Sequence, residues 1–168
     1  MKIMTAVESL SKIERPAVFL AGGITNCPEW QDYVIEKLKD LEIGTLLNPR
    51  RKNFPIHDPN ASKEQITWEF RALERADIFS MWFSNAPSDQ PICFYELGRH
   101  LAIKESLMDF DTIVIGVEKG FKREQDVHIQ TGLVCPTIPI YDNLDDYIEG
   151  IKKVIMIFAS SELKSLFF

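Results

Sequence analysis

No stretch of the 168 residues approaches the roughly 20 apolar side chains that a membrane span needs. The opening MKIMTAVESLSKIERP is charged throughout and has no apolar core of signal-peptide length. The expectation is therefore a cytoplasmic protein with no membrane partner. Cysteine is scarce: Cys27, Cys93 and Cys135 are scattered, with no CxxC and no His/Cys spacing. That argues against a disulfide or zinc framework and for a reducing compartment. A formal charge of -6 leaves little room for the basic face that nonspecific nucleic-acid binding requires, although a local arginine pair can still hold a small anion. There is no GxGxxG fingerprint, repeat, low-complexity tract or linker. The length and the 45% hydrophobic and 26% charged fractions are those of an ordinary globule, and one domain over 1–168 is expected.

What is present centres on residues 76–100: ADIFSMWF, the polar SNAPSDQ, then PICFYELGRH. Ile78, Phe79, Met81, Trp82 and Phe83 form a nearly unbroken apolar run, the pattern of a strand covered on both faces in a parallel sheet. Asp77 is one charge at its entry. Pro91 suits the first position of a helix, with Ser88 or Asp89 near the cap. The spacing places Glu96 in the first turn of that helix, at the loop end of the sheet, where open α/β folds bind ligands. The helix macrodipole alone also favours an acid there. Gly98, inside the helix, costs about 1 kcal/mol relative to alanine unless something approaches closely.

The remaining elements fall around this unit. Residues 1–15 read as a short helix or a loose arm. The run 17–21 (AVFLA) is a strand ending in Gly22 and Gly23, a β-α turn whose backbone can approach a ligand or simply turn tightly. A first helix is expected over 28–41, with Trp30, Val34, Leu38 and Leu41 inside. A second strand over 43–47 runs into NPRRKNFPIHDPNAS, a long loop that brings Asn48, Arg50 and Arg51 to the ligand side of the sheet; His57 reads as a plain loop residue. Ser62 and Gln65 suggest a capping box for a helix to Arg75, burying Ile66, Phe70 and Leu73, with Trp68 a further candidate for that side. A fourth strand at 111–117 exits into EKGFKREQDVHIQTG, a loop carrying Asp126, His128 and Gln130. A fifth strand over 137–140 and an amphipathic helix over 143–160 complete the chain. Leu166, Phe167 and Phe168 are apolar at the end, docking on their own domain or on a neighbour.

Alternating strands and helices predict an α/β, doubly wound, five-stranded parallel sheet of flavodoxin-like order 2-1-3-4-5. Its switch point lies between strands one and three. The Gly22-Gly23 turn and the 84–90 loop then face one another, with Glu96 between them.

The ordered series FLAGGIT...WQ, NPRR, ITWEFRALERADIFSMWF, PICFYELGRHLA and DVHIQT resembles the short-motif branch of the nucleoside 2-deoxyribosyltransferase family, over about residues 18–143. The resemblance implies transfer of a 2-deoxyribosyl group between nucleobases, with the YELG glutamate, Glu96, attacking the anomeric carbon. It implies that Asp77 assists the base. It also implies that Gly22, Gly23 and the Asn48, Arg50 and Arg51 segment approach the substrate. A sugar-binding aspartate of the family falls at Gln90, with Asp89 just before it and Ser88 in the same loop, so sugar recognition departs from the pattern. The family often completes one subunit's site from the next, which gives Asp126 and His128 that role and implies a homo-oligomer. The implied partners are a small nucleoside or nucleotide and a free nucleobase, with no metal or organic cofactor.

The chemistry is self-consistent. A carboxylate that captures an oxocarbenium-like carbon gives a sugar ester of inverted configuration, and a second inversion by the incoming base restores it. The leaving base needs a proton from a carboxyl of raised pKa, a role open to Asp77 at the edge of its apolar strand. Trp82 or Phe83 offers a flat face to the base, or is core. Two alternatives stand beside transfer: an N-glycoside hydrolase acting on a nucleoside, nucleotide or NAD-like substrate, and a noncatalytic nucleotide-binding sensor.

Overall fold

The computed structural model describes residues 1–165; the terminal Leu166, Phe167 and Phe168, and whatever they dock on, lie outside the described residues. Six parallel strands run β1 (Lys2–Thr5), β2 (Ala17–Gly22), β3 (Thr45–Asn48), β4 (Ile78–Phe83), β5 (Ile113–Val117) and β6 (Ile140–Tyr141). They are ordered β1-β3-β2-β4-β5-β6. The five expected strands hold their expected order, and a sixth, β1, is added at the edge beside β3. The fold is flavodoxin-like.

The arm expected at residues 1–15 is thus partly a strand. Lys2 to Thr5 pair in register with Thr45 to Asn48, and only Met4 of the four is buried. A half-covered edge strand of four residues, one of them lysine, gives too short an alternation to be read from sequence.

Five helices cover the two faces: α1 (Trp30–Leu38), α2 (Ala61–Arg75), α3 (Pro91–Leu107), α4 (Glu124–Val134) and α5 (Leu144–Ser165). β4 is buried along its whole length, and because successive side chains point to opposite faces, it feeds two cores. Phe79, Met81 and Phe83 pack with Trp68, Leu97 and Val127 beneath α2, α3 and α4. Ile78 and Trp82 pack with Trp30, Val34, Tyr147 and Ile151 beneath α1 and α5. Ser80, a polar residue on that second face, donates its hydroxyl to the Phe19 carbonyl at 2.8 Å, so its burial leaves no donor unmet.

Four local expectations change. In α2 the buried side holds Ala61, Trp68, Ala72 and Leu73, while Ile66 and Phe70 face outward. The cap of α2 is Asn60, and Gln65 closes no capping box. Residues 124–134 of the expected exit loop form α4, a helix that buries only Val127 and Thr131, too little for an amphipathic pattern. Gly98 meets nothing; a Cβ there would point into open space.

No helix of the described residues is long and apolar enough to cross a membrane. Among the described residues, Cys27, Cys93 and Cys135 are free thiols.

Candidate active site

The order of the sheet reverses between β2 and β4, and a cavity of about 240 Å³ opens just beyond their carboxyl ends. This is where two crossovers leave in opposite directions and cannot cover the strand ends. Phe19, Ala21, Gly22 and Gly23 line it from β2 and its turn, Ser88 and Gln90 from the loop after β4, and Cys93 and Glu96 from α3. Glu69, from α2, completes it.

The glycine turn is demanded by space and by backbone. Gly22 has φ +149, and a side chain there would run into the Trp82 carbonyl and the Trp30 ring. At Gly23 it would meet the Cys27 thiol and the Gln90 side chain. The Gly23 carbonyl is itself used: the Trp30 indole donates to it at 3.1 Å.

Glu96 lies in the second turn of α3, because the helix begins at Pro91. The first turn carries no acid. A macrodipole effect fades beyond the first turn, so helix electrostatics do not explain this glutamate. Its carboxyl makes no hydrogen bond or ion pair among the described residues. Burial pushes its pKa up to about 7, the nearby Glu69 adding to the rise and Arg99 opposing it. Glu69 is raised as well, chiefly by burial, against a lowering hydrogen bond from Gln65. That bond is 2.8 Å, donated by the Gln65 amide, which also donates to the Pro49 carbonyl at 2.6 Å. Two half-buried carboxyls lining one cavity disfavour the state in which both are ionised.

Gln90 departs from an ordinary helix cap. Its backbone is left-handed at φ 48, ψ 49, and it provides no side-chain cap. Its side chain, 3% exposed, donates through Nε2 to the Ser84 carbonyl at 2.7 Å. Oε1 is buried without a partner, on a residue that lines the cavity. Ser88 accepts from the Gln90 amide at 3.3 Å.

The other expected site residues lie elsewhere. Asp77 precedes β4, at the amino end of the sheet, roughly 20 Å along the strand from the cavity at about 3.3 Å per residue. There it accepts from the Arg15 guanidinium at 2.6 and 2.9 Å and from the Ala17 amide at 2.8 Å. A carboxylate so placed and paired ties two chain segments together and cannot reach a base bound near Glu96. Trp82, 1% exposed, stacks into the α5 side of the core against Tyr147 at 5.2 Å and offers no face to a ligand. Asn48 is buried and uses its side-chain oxygen on the Arg50 amide. Arg50 turns back to the Gln31 side chain at 2.9 Å and the Pro28 carbonyl at 2.7 Å, clamping the 23–31 segment. Arg51 faces Glu64 at 3.6 Å and the Phe54 ring. From that loop only Pro49 reaches the cavity. Asp89 is exposed and paired with Lys122 at 2.9 Å. Asp126 lies beside Arg123 on α4 in a separate groove shared with Asp89, and His128 is exposed on the same helix.

The residue missed in the sequence is Glu69. A signal existed: Gln65, Trp68, Glu69 and Ala72 share one side of a helix, and an acid on the side that periodicity buries is unusual. Taking Ile66 and Phe70 as the buried side concealed it. Among the described residues no three His, Cys, Asp or Glu side chains converge as a metal site.

A carboxyl pair in a recess at a switch point, one member without a bond and both reluctant to ionise, suits glycosyl transfer. No curated protein matches the chain. The family model described as nucleoside 2-deoxyribosyltransferase-like matches residues 15–111, from the lead into β2 to just before β5. That span is more than half of the chain and holds both Glu69 and Glu96, and the protein belongs to the nucleoside 2-deoxyribosyltransferase-like family, a family of glycosyl transfer.

Proposed function

We propose that this protein transfers a 2-deoxyribosyl group from one nucleobase to another through a covalent ester on Glu96, with Glu69 carrying the proton. The observation that supports it most is the shared cavity of Glu69 and Glu96, each pushed above the ordinary carboxyl range. The ionised Glu96 oxygen bonds to the anomeric carbon while the C–N bond breaks. Its electron pair stays on the base nitrogen, and the base takes its proton from Glu69. An incoming base then returns a proton to Glu69 and displaces Glu96, so configuration is retained after two inversions. Binding of a neutral sugar between the two carboxyls favours one charged and one protonated group, which is what each step requires. Phe19, Pro49 and Ile92 provide apolar wall for the base, in place of Trp82. The Oε1 of Gln90 is an acceptor for a sugar hydroxyl.

Among the described residues no lysine or arginine lines the cavity, and Arg50 is spent on the 23–31 segment. Two carboxyls without a cation repel a phosphate, so the substrate is a nucleoside in preference to a nucleotide.

Incubation with deoxyinosine, with and without adenine, tests the reading. Transfer yields deoxyadenosine, and intact mass of the enzyme shows a deoxyribosyl adduct that Glu96→Gln lacks. Hypoxanthine release that ignores adenine would make it a hydrolase. Absence of turnover, with ligand binding kept in Glu96→Gln, would make it a sensor.

A further inference from the structure

The side of α2 turned away from Glu69 carries Lys63, Thr67, Arg71 and Arg75, spaced by four and therefore in one stripe. This stripe forms one wall of a groove of about 600 Å³ whose opposite wall is the 7–11 segment. The groove is firmly built. The Trp68 indole donates to the Glu8 carbonyl at 2.8 Å, and the Arg75 guanidinium donates to the Leu10 carbonyl at 3.0 Å. Two hydroxyls, Ser9 and Ser11, stand at its rim, 3.0 Å apart.

Its charges are unbalanced. Lys63 and Arg71 make no ion pair or hydrogen bond among the described residues. Of the two carboxylates in the lining, Glu64 is engaged by Arg51, which leaves Glu8 against three cations. Arg71 and Arg75 are one turn apart, about 6 Å along the axis, where like charges destabilise a helix. An anion held between them removes that repulsion, and guanidinium forks match phosphate oxygens in pairs. Cations repeated along successive turns suit more than one phosphate, and the groove has the size of a small-molecule site.

We propose that this groove binds a small ligand carrying a diphosphate or triphosphate, at a site separate from the Glu96 cavity. Calorimetric titration of the full chain with inorganic tripolyphosphate, and in parallel with a nucleoside triphosphate, tests it. One site is expected. Arg71→Gln and Lys63→Gln should each weaken it by about tenfold, the loss of one charged contact, with deoxyinosine turnover unchanged. Both side chains are solvent-facing and unpartnered, so neither substitution threatens the fold. Glu96→Gln should bind tripolyphosphate as the wild type does. Tighter binding of the nucleoside triphosphate would extend the site onto the apolar Val7 and Leu10 wall. Absence of binding, equal affinity in both groove variants, or loss of binding in Glu96→Gln would overturn the proposal.

Discussion

The two ends of the central sheet each hold an acid, and they are opposites. At the amino end Asp77 accepts two bonds from Arg15 and one from the Ala17 amide. At the carboxyl end Glu96 accepts none, sits beside a second acid and is pushed up to about 7. An acid whose lone pairs are satisfied contributes to holding the fold. One kept from water without a partner is costly to ionise and is therefore available for bond making and proton traffic. The family resemblance implied that the two cooperate, Asp77 assisting the base that Glu96 displaces.

Substitutions at the two ends should separate activity from stability. The largest effect is expected for Glu96→Gln: loss of on the order of 10³-fold or more in kcat, with no loss in thermal stability. Retained turnover would remove Glu96 from the chemistry. Glu69→Gln should cost about 10²- to 10⁴-fold. The loss should shrink for a nucleoside whose base departs without protonation, and a uniform loss across leaving groups would assign Glu69 to positioning alone. Asp77→Asn should leave kcat near wild type while lowering stability by about 1–2 kcal/mol in urea unfolding, the loss of charge-assisted bonds at a partly exposed pair. A kcat deficit exceeding that of the unfolded fraction would return Asp77 to the mechanism.

The smallest effect lies in pH dependence. Glu96 has a folded pKa raised above its unfolded value, so its favourable contribution is present below about 4.5 and is lost as pH rises to about 7. Stability of Glu96→Gln relative to wild type should grow across that window and then level. His100 stacks on Phe79 at 4.2 Å, and its pKa is pushed down to about 4, chiefly by burial and further by Arg99 and Lys104. A depressed histidine contributes stability above about 6.5 that is lost as pH falls toward 4. His100→Gln should reduce that acid-side loss, and an unchanged acid limb would place the sensitivity in other groups.

Much of the fold was legible. The apolar runs at 17–21, 78–83 and 113–117 are long enough and β-branched or aromatic enough to be strands, and the connections between them allow few topologies. β1 and α4 were not legible, because an edge strand of four residues and a helix burying two side chains leave almost no periodic trace. In the candidate site Gly22, Gly23, Ser88, Gln90 and Glu96 line one cavity as their places in the order suggest. Asp77, Trp82, Asn48, Arg50, Arg51 and Asp89 do not reach it. Asp77, Trp82, Arg50 and Asp89 find their partners, a guanidinium, a ring, a carbonyl and a lysine, in distant segments that no local pattern announces, while Asn48 is held by the Arg50 amide two residues on and Arg51 faces Glu64 and the Phe54 ring.

Sequence by itself determined the alternation of buried strands with helices, and with it the switch point and the end of the sheet where Glu96 stands. Tertiary structure alone decided which acid faces it. A strand carries its first and last residues to opposite ends of the sheet, so closeness in sequence sent Asp77 away, while packing of α2 against β2 and α3 brought Glu69 in. Desolvation, which raises the pKa of both acids, is a property of surroundings and is written in no single stretch of the chain.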